Sequence, residues 1–231
     1  MTQPLGQNLD NRKIREYIAY FESYYGADFR PGQGLNEITD MISRYSVPGT
    51  WIDLGGGTST FIWLPAFREI TGVRSVDKYA ESAYVQNQVR SRKPSGCYRH
   101  VLNRYNKSFY EMNKIHITYS QMDLFNDFTA NAKYNNVSQF GLLGLCRTKN
   151  EYLERLKNVS EFMNLGSVFF GANWVFSTAY AEKRGFENSY LNKILIEEYT
   201  LNNKKALLYS EWIEIIDDPC YDAVLIYTFT I

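Results

Sequence analysis

The chain has 231 residues, and its 25 Lys and Arg balance its 25 Asp and Glu, so the formal net charge is zero. This length suits one α/β domain with a core that needs no disulfide or metal, and it leaves little room for two independent domains. The neutral balance argues against a general electrostatic footprint for nucleic acid or for an anionic membrane. We therefore predict neither as a partner.

The cysteines and histidines indicate the cellular compartment and whether a metal site is expected. The three cysteines, Cys97, Cys146 and Cys220, are odd in number and far apart, which favours free thiols in a reducing compartment. The two histidines, His100 and His116, lack the spacing of metal ligands, so no metal site is predicted. The N-terminus shows no apolar signal core, and no apolar run reaches transmembrane length. These features predict a cytoplasmic location.

The first part of the chain predicts two helices. Asp10 or Asn11 can cap a helix that ends near Gly26, and this helix has an apolar stripe of Ile14, Tyr17, Ile18 and Phe21. A turn over 31–34 leads to a second helix over about 35–45, which a Pro-Gly pair at 48–49 ends. We interpret residues 1–47 as an N-terminal helical lid and residues 48–231 as the domain that follows.

From residue 50 onward, strand and helix patterns alternate. Strands are predicted over 50–54, 73–77, 115–122, 138–145 and 168–174. Helices are predicted over 58–70, 99–112, 150–163 and 188–200, and a further helix follows the second strand and ends at about residue 90. Two last strand-like runs, 206–216 and 223–231, flank a turn at 217–219 and should pair antiparallel. This alternation predicts an α/β fold with a parallel sheet covered on both faces.

The most informative segment is an apolar strand that runs into three consecutive glycines, Gly55, Gly56 and Gly57. Glycine is needed where the backbone turns tightly and approaches a ligand closely. The alternative is a plain turn between strand and helix, for which one glycine would be enough. The run fits neither a dinucleotide fingerprint, since Thr60 occupies the third glycine position, nor a P-loop, since no Gly-Lys-Ser/Thr follows.

Acidic residues near this loop indicate what it binds. Asp53 precedes the first glycine by two residues, where it would disfavour a phosphate but suit a cationic ligand. Asp77 ends the second predicted strand, 22 residues after Gly55, where Rossmann-like sheets contact ribose hydroxyls. Asp123 follows the third strand, where it can accept from an adenine amino group while Leu124 packs on the ring. The alternatives are a helix cap at Asp77 and a turn residue at Asp123.

The segment Asp53-Leu54-Gly55-Gly56-Gly57-Thr58, followed by Asp77 and Asp123, resembles the cofactor motifs of class I S-adenosylmethionine-dependent methyltransferases. The resemblance implies a Rossmann-like, seven-stranded mixed sheet in which the final hairpin supplies the antiparallel strand. It also implies S-adenosylmethionine as the cofactor, a molecule with a sulfonium and an ammonium group but no phosphate. The implied cofactor-binding residues are Asp53, Gly55, Gly56, Gly57, Thr58, Asp77, Asp123 and Leu124.

A narrower resemblance is to the nicotinamide, phenylethanolamine and indolethylamine N-methyltransferases, in which a tyrosine-bearing N-terminal helix closes over cofactor and acceptor. It rests on Tyr20, Tyr24 and Tyr25 and on the order of the later elements. It implies that Tyr20 and Tyr24 belong to the catalytic site and that Tyr25 contacts the cofactor; packing of the helix face is the alternative. Where the nicotinamide branch has an acid that orients the acceptor, this chain has Asn173, which implies a different acceptor or a local backbone role.

These features predict methyl transfer to a small molecule at an amine nitrogen, since a neutral amine needs no strong base and no histidine is well placed. One alternative is transfer or cyclisation of the aminocarboxypropyl arm of S-adenosylmethionine, which would release methylthioadenosine. Another is a cofactor-binding sensor without turnover. An RNA or protein methyltransferase stays open, although the neutral charge and the missing Asn/Asp-Pro-Pro-Tyr motif argue against the base-amine type. A monomer or a weak homodimer is expected.

Overall fold

A computed structural model describes residues 9–26, 29–126, 129–187 and 189–231. In this part of the chain, the strands are β1 (Gly49–Leu54), β2 (Ile70–Asp77), β3 (Ile117–Gln121), β4 (Tyr134–Phe140), β5 (Met163–Phe176), β6 (Ala206–Glu214) and β7 (Tyr221–Thr230). They form one sheet in the order β3-β2-β1-β4-β5-β7-β6. Only β7 runs antiparallel to its neighbours, β5 and β6, within this sheet. The predicted mixed sheet of seven strands is confirmed.

The helices are α1 (Asn11–Phe21), α2 (Leu35–Tyr45), α3 (Thr60–Trp63), α4 (Ala80–Arg90), α5 (Gly96–Arg104), α6 (Phe109–Lys114), α7 (Lys149–Ser160), α8 (Thr178–Arg184) and α9 (Lys193–Asn202). Side chains cap several of them: the carboxylate of Asp10 accepts from the Arg12 amide, and the Asn192 side chain accepts from the Leu195 amide. A π-helical turn over Glu22–Gly26 continues α1. None of the described helices is long and apolar enough to cross a membrane.

The sheet separates two apolar layers. On one face, Ile38 and Ile42 of α2 pack with Trp51, Phe61 and Phe170 in one buried cluster. On the other face, α7 and α9 cover a second cluster that contains Tyr152, Leu156, Phe169, Ile196 and Phe229. Phe169 and Phe170 are consecutive in β5 and belong to opposite clusters, as the alternation of side chains along a strand requires.

The strand order places a crevice at the carboxyl ends of β1 and β4. From β1, the chain builds outward through β2 to β3, and it then returns to add β4 on the other side of β1. Loops that leave the ends of β1 and β4 therefore diverge to opposite faces. Open α/β sheets bind ligands at this point of strand reversal.

Several predicted boundaries are wrong. The helix predicted over 58–70 shrinks to α3 and a 3₁₀ turn over Leu64–Ala66, because Pro65 has no amide hydrogen to continue an α-helix. The helix predicted over 99–112 divides into α5 and α6 at Asn106, whose φ is 49°. The fourth strand lies at Tyr134–Phe140 rather than 138–145, because Gly141 turns the chain with a φ of 97°. Helix α8 was not predicted.

Two predicted elements extend beyond the described residues. Residues 1–8 and 27–28 of the predicted lid lie outside them, as does residue 188 of the helix predicted over 188–200. In the rest of the predicted lid, α2 packs against the sheet core, whereas α1 packs along α4. The division into a lid over 1–47 and a domain over 48–231 stays a prediction.

Candidate functional site

A cavity of about 420 Å³ lies at the carboxyl ends of β1, β2, β4 and β5. The glycine loop after β1 forms part of its wall, and Asp77 reaches it from the end of β2. The π-helical turn after α1 contributes Tyr24 and Tyr25. Much of the remaining wall is aromatic and comprises Tyr17, Tyr20, Phe29, Trp63, Phe140, Trp174, Phe176 and Tyr221.

The glycine loop is fixed by backbone hydrogen bonds to β2. The amides of Gly55 and Gly56 both donate to the carbonyl of Val76, at 2.8 and 3.0 Å. Gly55 and Gly57 have φ values of 72° and 50°, a region that glycine occupies without strain. The amide of Gly57 donates to Asp77 Oδ2 at 3.1 Å. The loop therefore presents its backbone to the cavity in a defined conformation.

Asp53 lies beneath this loop and does not line the cavity. Its Oδ1 accepts from Ser138 Oγ and its Oδ2 from Thr60 Oγ1, both at 2.7 Å, while Thr60 Oγ1 lies 2.9 Å from Ser75 Oγ. We call Asp53, Thr60, Ser75 and Ser138 the charged cluster. Complete burial raises the pKa of Asp53 to about 6. The structure places this carboxylate as a support for the loop, without direct access to a ligand.

Asp77 does reach the cavity, as its predicted ribose contact requires. Besides the Gly57 amide, its carboxylate accepts from the Tyr79 amide at 3.1 Å and from the Tyr17 hydroxyl at 3.3 Å, both at Oδ1. Burial raises its pKa, although these donors act in the opposite direction. Tyr79 is the N-cap residue of α4. Asp77 thus orders the start of α4 and also offers a carboxylate to a ligand.

Thr58 contributes a polar atom that has no partner. Its side chain is buried and lines the cavity, and its Oγ1 makes no hydrogen bond with any described residue. A buried hydroxyl without a partner is costly, so such a group at a cavity wall is typical of a ligand contact.

The three tyrosines of the predicted lid lie together but differ in burial. The ring centroids of Tyr20 and Tyr24 are 4.8 Å apart, and those of Tyr20 and Tyr25 are 6.2 Å apart. Tyr20 and Tyr24 are 49% and 43% exposed, so they form the rim of the cavity. Tyr25 lies deeper, edge-on to Trp63 at 6.3 Å, and burial raises its pKa well above the usual value.

Asp123 and Leu124, the predicted adenine contacts, do not line this cavity. Asp123 Oδ2 pairs with Lys78 Nζ at 2.7 Å, and Oδ1 accepts from the Phe125 amide at 3.1 Å. Lys78 and Asn126 hold the pKa of Asp123 at about 2. Leu124 is buried in the second apolar layer. In this structure Asp123 acts as a turn residue and ion-pair partner, and its adenine contact stays a prediction.

Asn173, predicted to face the acceptor, lies inside β5 and is fully buried. Its Oδ1 accepts from Tyr152 OH at 2.9 Å and from Gln139 Nε2 at 3.1 Å, and Tyr152 OH lies 2.8 Å from Tyr227 OH. We call Gln139, Tyr152, Asn173 and Tyr227 the neutral cluster. Gln139 Oε1 also accepts from the Leu143 amide, which holds the 3₁₀ turn Leu142–Leu145 at the cavity wall. The structure therefore does not bring Asn173 to the acceptor; its neighbour Trp174 lines the cavity instead.

Several residues that line the cavity could not be recognised as cavity residues from the sequence. Trp63, Phe140, Phe176 and Tyr221 are aromatic residues in or next to ordinary secondary structure, so nothing local distinguishes them from core residues. Asp218 lies in the predicted turn between the last two strands, where an aspartate is common for conformational reasons. Only the topology of the sheet brings these residues to the same edge.

Comparison with known proteins identifies similar folds. No protein-family model and no curated protein sequence matches the chain. The N-methyltransferase NodS from Bradyrhizobium japonicum WM9, solved with S-adenosyl-L-homocysteine, is 10% identical over 85% of this chain and 83% of its own, with a TM-score of 0.55. A DhpI–SAM–HEP complex is 14% identical over 97% of this chain and 100% of its own, also at 0.55.

A third similar structure is the complex between the Haloferax volcanii Trm112 methyltransferase activator and a methyltransferase. It is 8% identical, covers 95% of this chain and 94% of its own, and has a TM-score of 0.60. Similarities at these identities establish the fold. The chain has the Rossmann-like fold of class I methyltransferases, as the glycine loop and its acidic companions implied. The narrower resemblance to the nicotinamide group stays a prediction.

Proposed function

We propose that this protein transfers a methyl group from S-adenosylmethionine to a small-molecule amine. The observation that carries the proposal is that one cavity joins the glycine loop, the Asp77 carboxylate and the unpartnered Thr58 hydroxyl to a space walled by aromatic rings. A donor held at the loop would thus face an acceptor held among the rings. The fold supports this proposal, because NodS and DhpI have folds similar to that of this chain and were solved with S-adenosylhomocysteine or SAM.

The residues at the loop fit the proposed cofactor. Asp77 would hold the ribose hydroxyls, and the backbone of Gly55–Gly57 with Thr58 would contact the amino acid part. Asp123 and Leu124 would hold the adenine next to this region, which requires Asp123 to exchange its Lys78 partner for the adenine amino group. Tyr25 would cover the cofactor from the lid side. Among the described cavity residues, two carboxylates, Asp77 and Asp218, outnumber the single basic residue, Arg30, which disfavours a phosphate-bearing ligand.

When bound, S-adenosylmethionine supplies a methyl carbon that accepts the nitrogen lone pair as the carbon–sulfur bond breaks toward sulfur, and the nitrogen then loses one proton to water. The protein mainly has to align the acceptor and to exclude water. Tyr20 and Tyr24 at the rim can do both, because their rings close the cavity and their faces attract a cationic centre.

The side chains of the cavity favour an amine acceptor over a hydroxyl acceptor. A hydroxyl needs a general base, whereas a neutral amine does not. Neither His100 nor His116 is among the described cavity residues. Cys97 lines the cavity, but burial raises the pKa of its thiol to about 11. The lining therefore offers no histidine base, and we assign the acceptor atom to nitrogen.

We propose that α1 and the π-helical turn form a lid over this cavity. Three contacts hold α1 and its N-cap near Asp77, the carboxylate that we propose binds the ribose. The Asp10 amide donates to Glu81 Oε1 at 2.8 Å, Lys13 Nζ lies 3.8 Å from the Tyr79 ring centre, and the Tyr17 hydroxyl donates to Asp77. Binding of a ribose at Asp77 would therefore be coupled to the position of the lid.

Calorimetry with S-adenosylhomocysteine tests the cofactor assignment. Asp77→Ala should lower the affinity by ~1.5–3 kcal/mol, or roughly tenfold to 150-fold, because the ribose would lose charge-assisted hydrogen bonds. Asp222→Asn, at an exposed aspartate far along the chain, is the control and should bind as the native protein does. A native protein that does not bind S-adenosylhomocysteine would refute the proposed function.

Product analysis separates methyl transfer from the use of the aminocarboxypropyl arm. The protein is incubated with S-adenosylmethionine and a panel of aromatic and aliphatic amines, and the products are identified by mass spectrometry. We expect S-adenosylhomocysteine and an amine heavier by one methylene. Tyr20→Phe and Tyr24→Phe should lower this turnover more than they lower cofactor affinity. Methylthioadenosine as the main product would contradict the proposal.

A further inference from the structure

The two edge strands of the sheet differ in length and in what they expose. At one edge, β3 has 5 residues, and at the other edge, β6 has 9. Among the described residues, β3 carries no exposed large apolar side chain, whereas Leu208 and Trp212 of β6 are exposed, as is Ile216 just beyond its end. No described strand pairs with the open edge of β6. A long edge strand with exposed apolar residues is a template for pairing with another strand.

The backbone of β6 presents hydrogen-bonding groups along this open edge. The Ile215 amide donates to the carbonyl of Asp222, so the backbone groups of residue 215 point toward β7. Along a strand, these groups point alternately toward one neighbour and toward the other side. The register with β7 is regular after a bulge near the start of β6. The amides and carbonyls of Ser210, Trp212 and Glu214 therefore point toward the open edge.

These three residues are symmetric about Trp212. Two copies of β6 that pair antiparallel about a twofold axis at Trp212 would set Trp212 against Trp212 and Ser210 against Glu214 of the second copy. Each such pair can exchange two backbone hydrogen bonds, and an aromatic pair across strands adds stability. The Ser210 hydroxyl, which is buried and has no partner among the described residues, would come opposite a carboxylate. An axis shifted by one residue would instead set Glu211 against Glu211, which their like charges disfavour.

The charges at the two ends of β6 fit the same arrangement. Lys204 and Lys205 directly precede the strand, and Asp217 and Asp218 follow it closely. Antiparallel pairing brings the start of one strand beside the end of the other, so the lysines of each copy would lie near the aspartates of its partner. Parallel pairing would set lysines beside lysines. Electrostatic complementarity therefore favours the antiparallel dimer.

We propose that the protein forms a twofold symmetric dimer in which two β6 strands pair antiparallel about Trp212 and join the two sheets into one. The segment that follows β6 supplies Ile215, Asp218 and Tyr221 to the cavity wall. The interface would therefore adjoin the cavity and restrain this part of its wall. The dimer is independent of which ligand the cavity binds.

Analytical ultracentrifugation of the full chain tests the dimer over about 1–200 μM. The native protein should shift from monomer toward dimer as the concentration rises. Trp212→Lys removes the aromatic pair and sets two like charges at the axis, so it should weaken the association about thirtyfold or more. Tyr110→Lys replaces an exposed aromatic residue of α6, which lies in the chain just before the opposite edge strand β3, and is the matched control that should associate as the native protein does.

A second variant covers the case in which Trp212→Lys does not fold. The Glu214 amide faces the open edge, so Glu214→Pro removes no hydrogen bond to β7, and edge strands tolerate proline at such positions. This variant should stay folded, as urea unfolding would show, and should remain monomeric. Glu214→Ala is its control, because it keeps the amide and should still form the dimer.

Cysteine cross-linking tests the register. Cys97 and Cys146 are buried and Cys220 is partly exposed, so the experiment uses a Cys220→Ser background. Trp212→Cys should give a disulfide-linked dimer on mild oxidation, because hydrogen-bonded residues of antiparallel strands have Cα atoms about 5.5 Å apart, within the range of a disulfide. Glu214→Cys is the control, since the two copies of residue 214 would be ~14 Å apart along the strands.

Three results would overturn the dimer. A native protein that stays monomeric over the whole concentration range would leave the edge to solvent or to a strand of a different protein. Association that survives both Trp212→Lys and Glu214→Pro would place the interface elsewhere on the molecule. Cross-linking at residue 212 that is no faster than at residue 214 would contradict the twofold axis.

Discussion

Two parts of the cavity wall are supported by buried polar clusters, one of which contains a carboxylate while the other contains only neutral groups. The charged cluster around Asp53 supports the glycine loop, and the neutral cluster around Asn173 supports the turn Leu142–Leu145. A glycine lies directly against each cluster. A Cβ at Gly56 would come within 2.3 Å of Thr60 Oγ1, and one at Gly171 within 2.1 Å of Tyr227 Cζ. Each cluster thus leaves no room for a Cβ at its glycine, and the two clusters differ in charge.

The comparison shows how a ligand cavity can be shaped by side chains that never line it. Asp53, Gln139 and Asn173 are absent from the described cavity wall, yet their hydrogen bonds determine where the loop and the turn lie. The charged cluster retains a carboxylate at the cost of its desolvation, while the neutral cluster satisfies amide and hydroxyl groups with one another. Each of the following predictions disturbs one cluster and leaves the other intact.

The largest effect is expected from Gly56→Ala. The added methyl group would overlap Thr60 Oγ1, Ser75 Oγ and Asp53 Oδ2, so the loop must move away from the charged cluster. We expect a loss of ~1–3 kcal/mol in the free energy of unfolding and an affinity for S-adenosylhomocysteine below what calorimetry detects. Gly72→Ala in β2 is the matched control, because a Cβ there has no atom within 4 Å. Retained binding in Gly56→Ala would show that the loop does not rest on this cluster.

The charge of Asp53 should appear as a pH dependence of stability. Its pKa is about 6 in the folded protein and ~3.9 in an unfolded chain, so the folded state binds more protons between about pH 4 and 6. The free energy of unfolding should therefore decrease by up to ~3 kcal/mol as the pH rises through this range. Above it, titration of Asp53 should cause no further change in stability.

The measurement is urea unfolding from pH 4 to pH 7 for the native protein and for Asp53→Asn. Subtracting the two profiles removes the titration of the other carboxylates, and the native protein should lose more stability with rising pH than the variant. Parallel profiles would mean that Asp53 does not retain its proton in the folded state. Asn173→Leu, which disturbs the neutral cluster, should leave the slope of the native profile unchanged.

Breaking the neutral cluster should lower stability without this pH signature. Asn173→Ala removes the acceptor of Tyr152 OH and of Gln139 Nε2, and both donors are fully buried. Tyr152 OH would lose its acceptor and Gln139 Nε2 would keep only Tyr227 OH, so the free energy of unfolding should fall by ~1–3 kcal/mol. Asn202→Ala, at an exposed position near the end of α9, is the control and should change stability little. An Asn173→Ala variant as stable as the native protein would show that water or a neighbour replaces the amide.

The two clusters also explain how far the sequence could predict the structure. Alternating strand and helix patterns predicted the sheet, and the errors lie where single residues override periodicity, as at Pro65 and Gly141. Asp53 was recognised because it adjoins the glycines in the sequence. Its partner Ser138, and Ser75, which lies against Thr60 Oγ1, could not be predicted, since only strand pairing places these two serines beside Asp53.

The neutral cluster had no local signature at all. Gln139 and Tyr227 are 88 residues apart and Gln139 and Asn173 are 34 apart, so no spacing rule connects them. Asn173 alone stood at a position where a resembling family has an acid, and it was therefore assigned to the acceptor. Phe176 and Tyr221 of the cavity wall had no local signature for the same reason, because only the pairing of β5 with β7 brings them together.

The smallest effect is expected from Tyr227→Phe, which removes a single oxygen from the neutral cluster. Because Tyr152 OH donates to Asn173, Tyr227 OH donates to Tyr152 and accepts from Gln139 Nε2 at 3.2 Å. The ring itself stays stacked on Phe169 at 6.1 Å, so packing is preserved. Gln139 keeps its bonds to Asn173 and to the Leu143 amide, and the turn at the cavity wall should therefore stay in place. We expect a loss of ~1 kcal/mol in the free energy of unfolding, measured by urea denaturation, with unchanged affinity for S-adenosylhomocysteine. A loss of affinity would show that the whole cluster, and not Gln139 alone, holds the turn against the cavity.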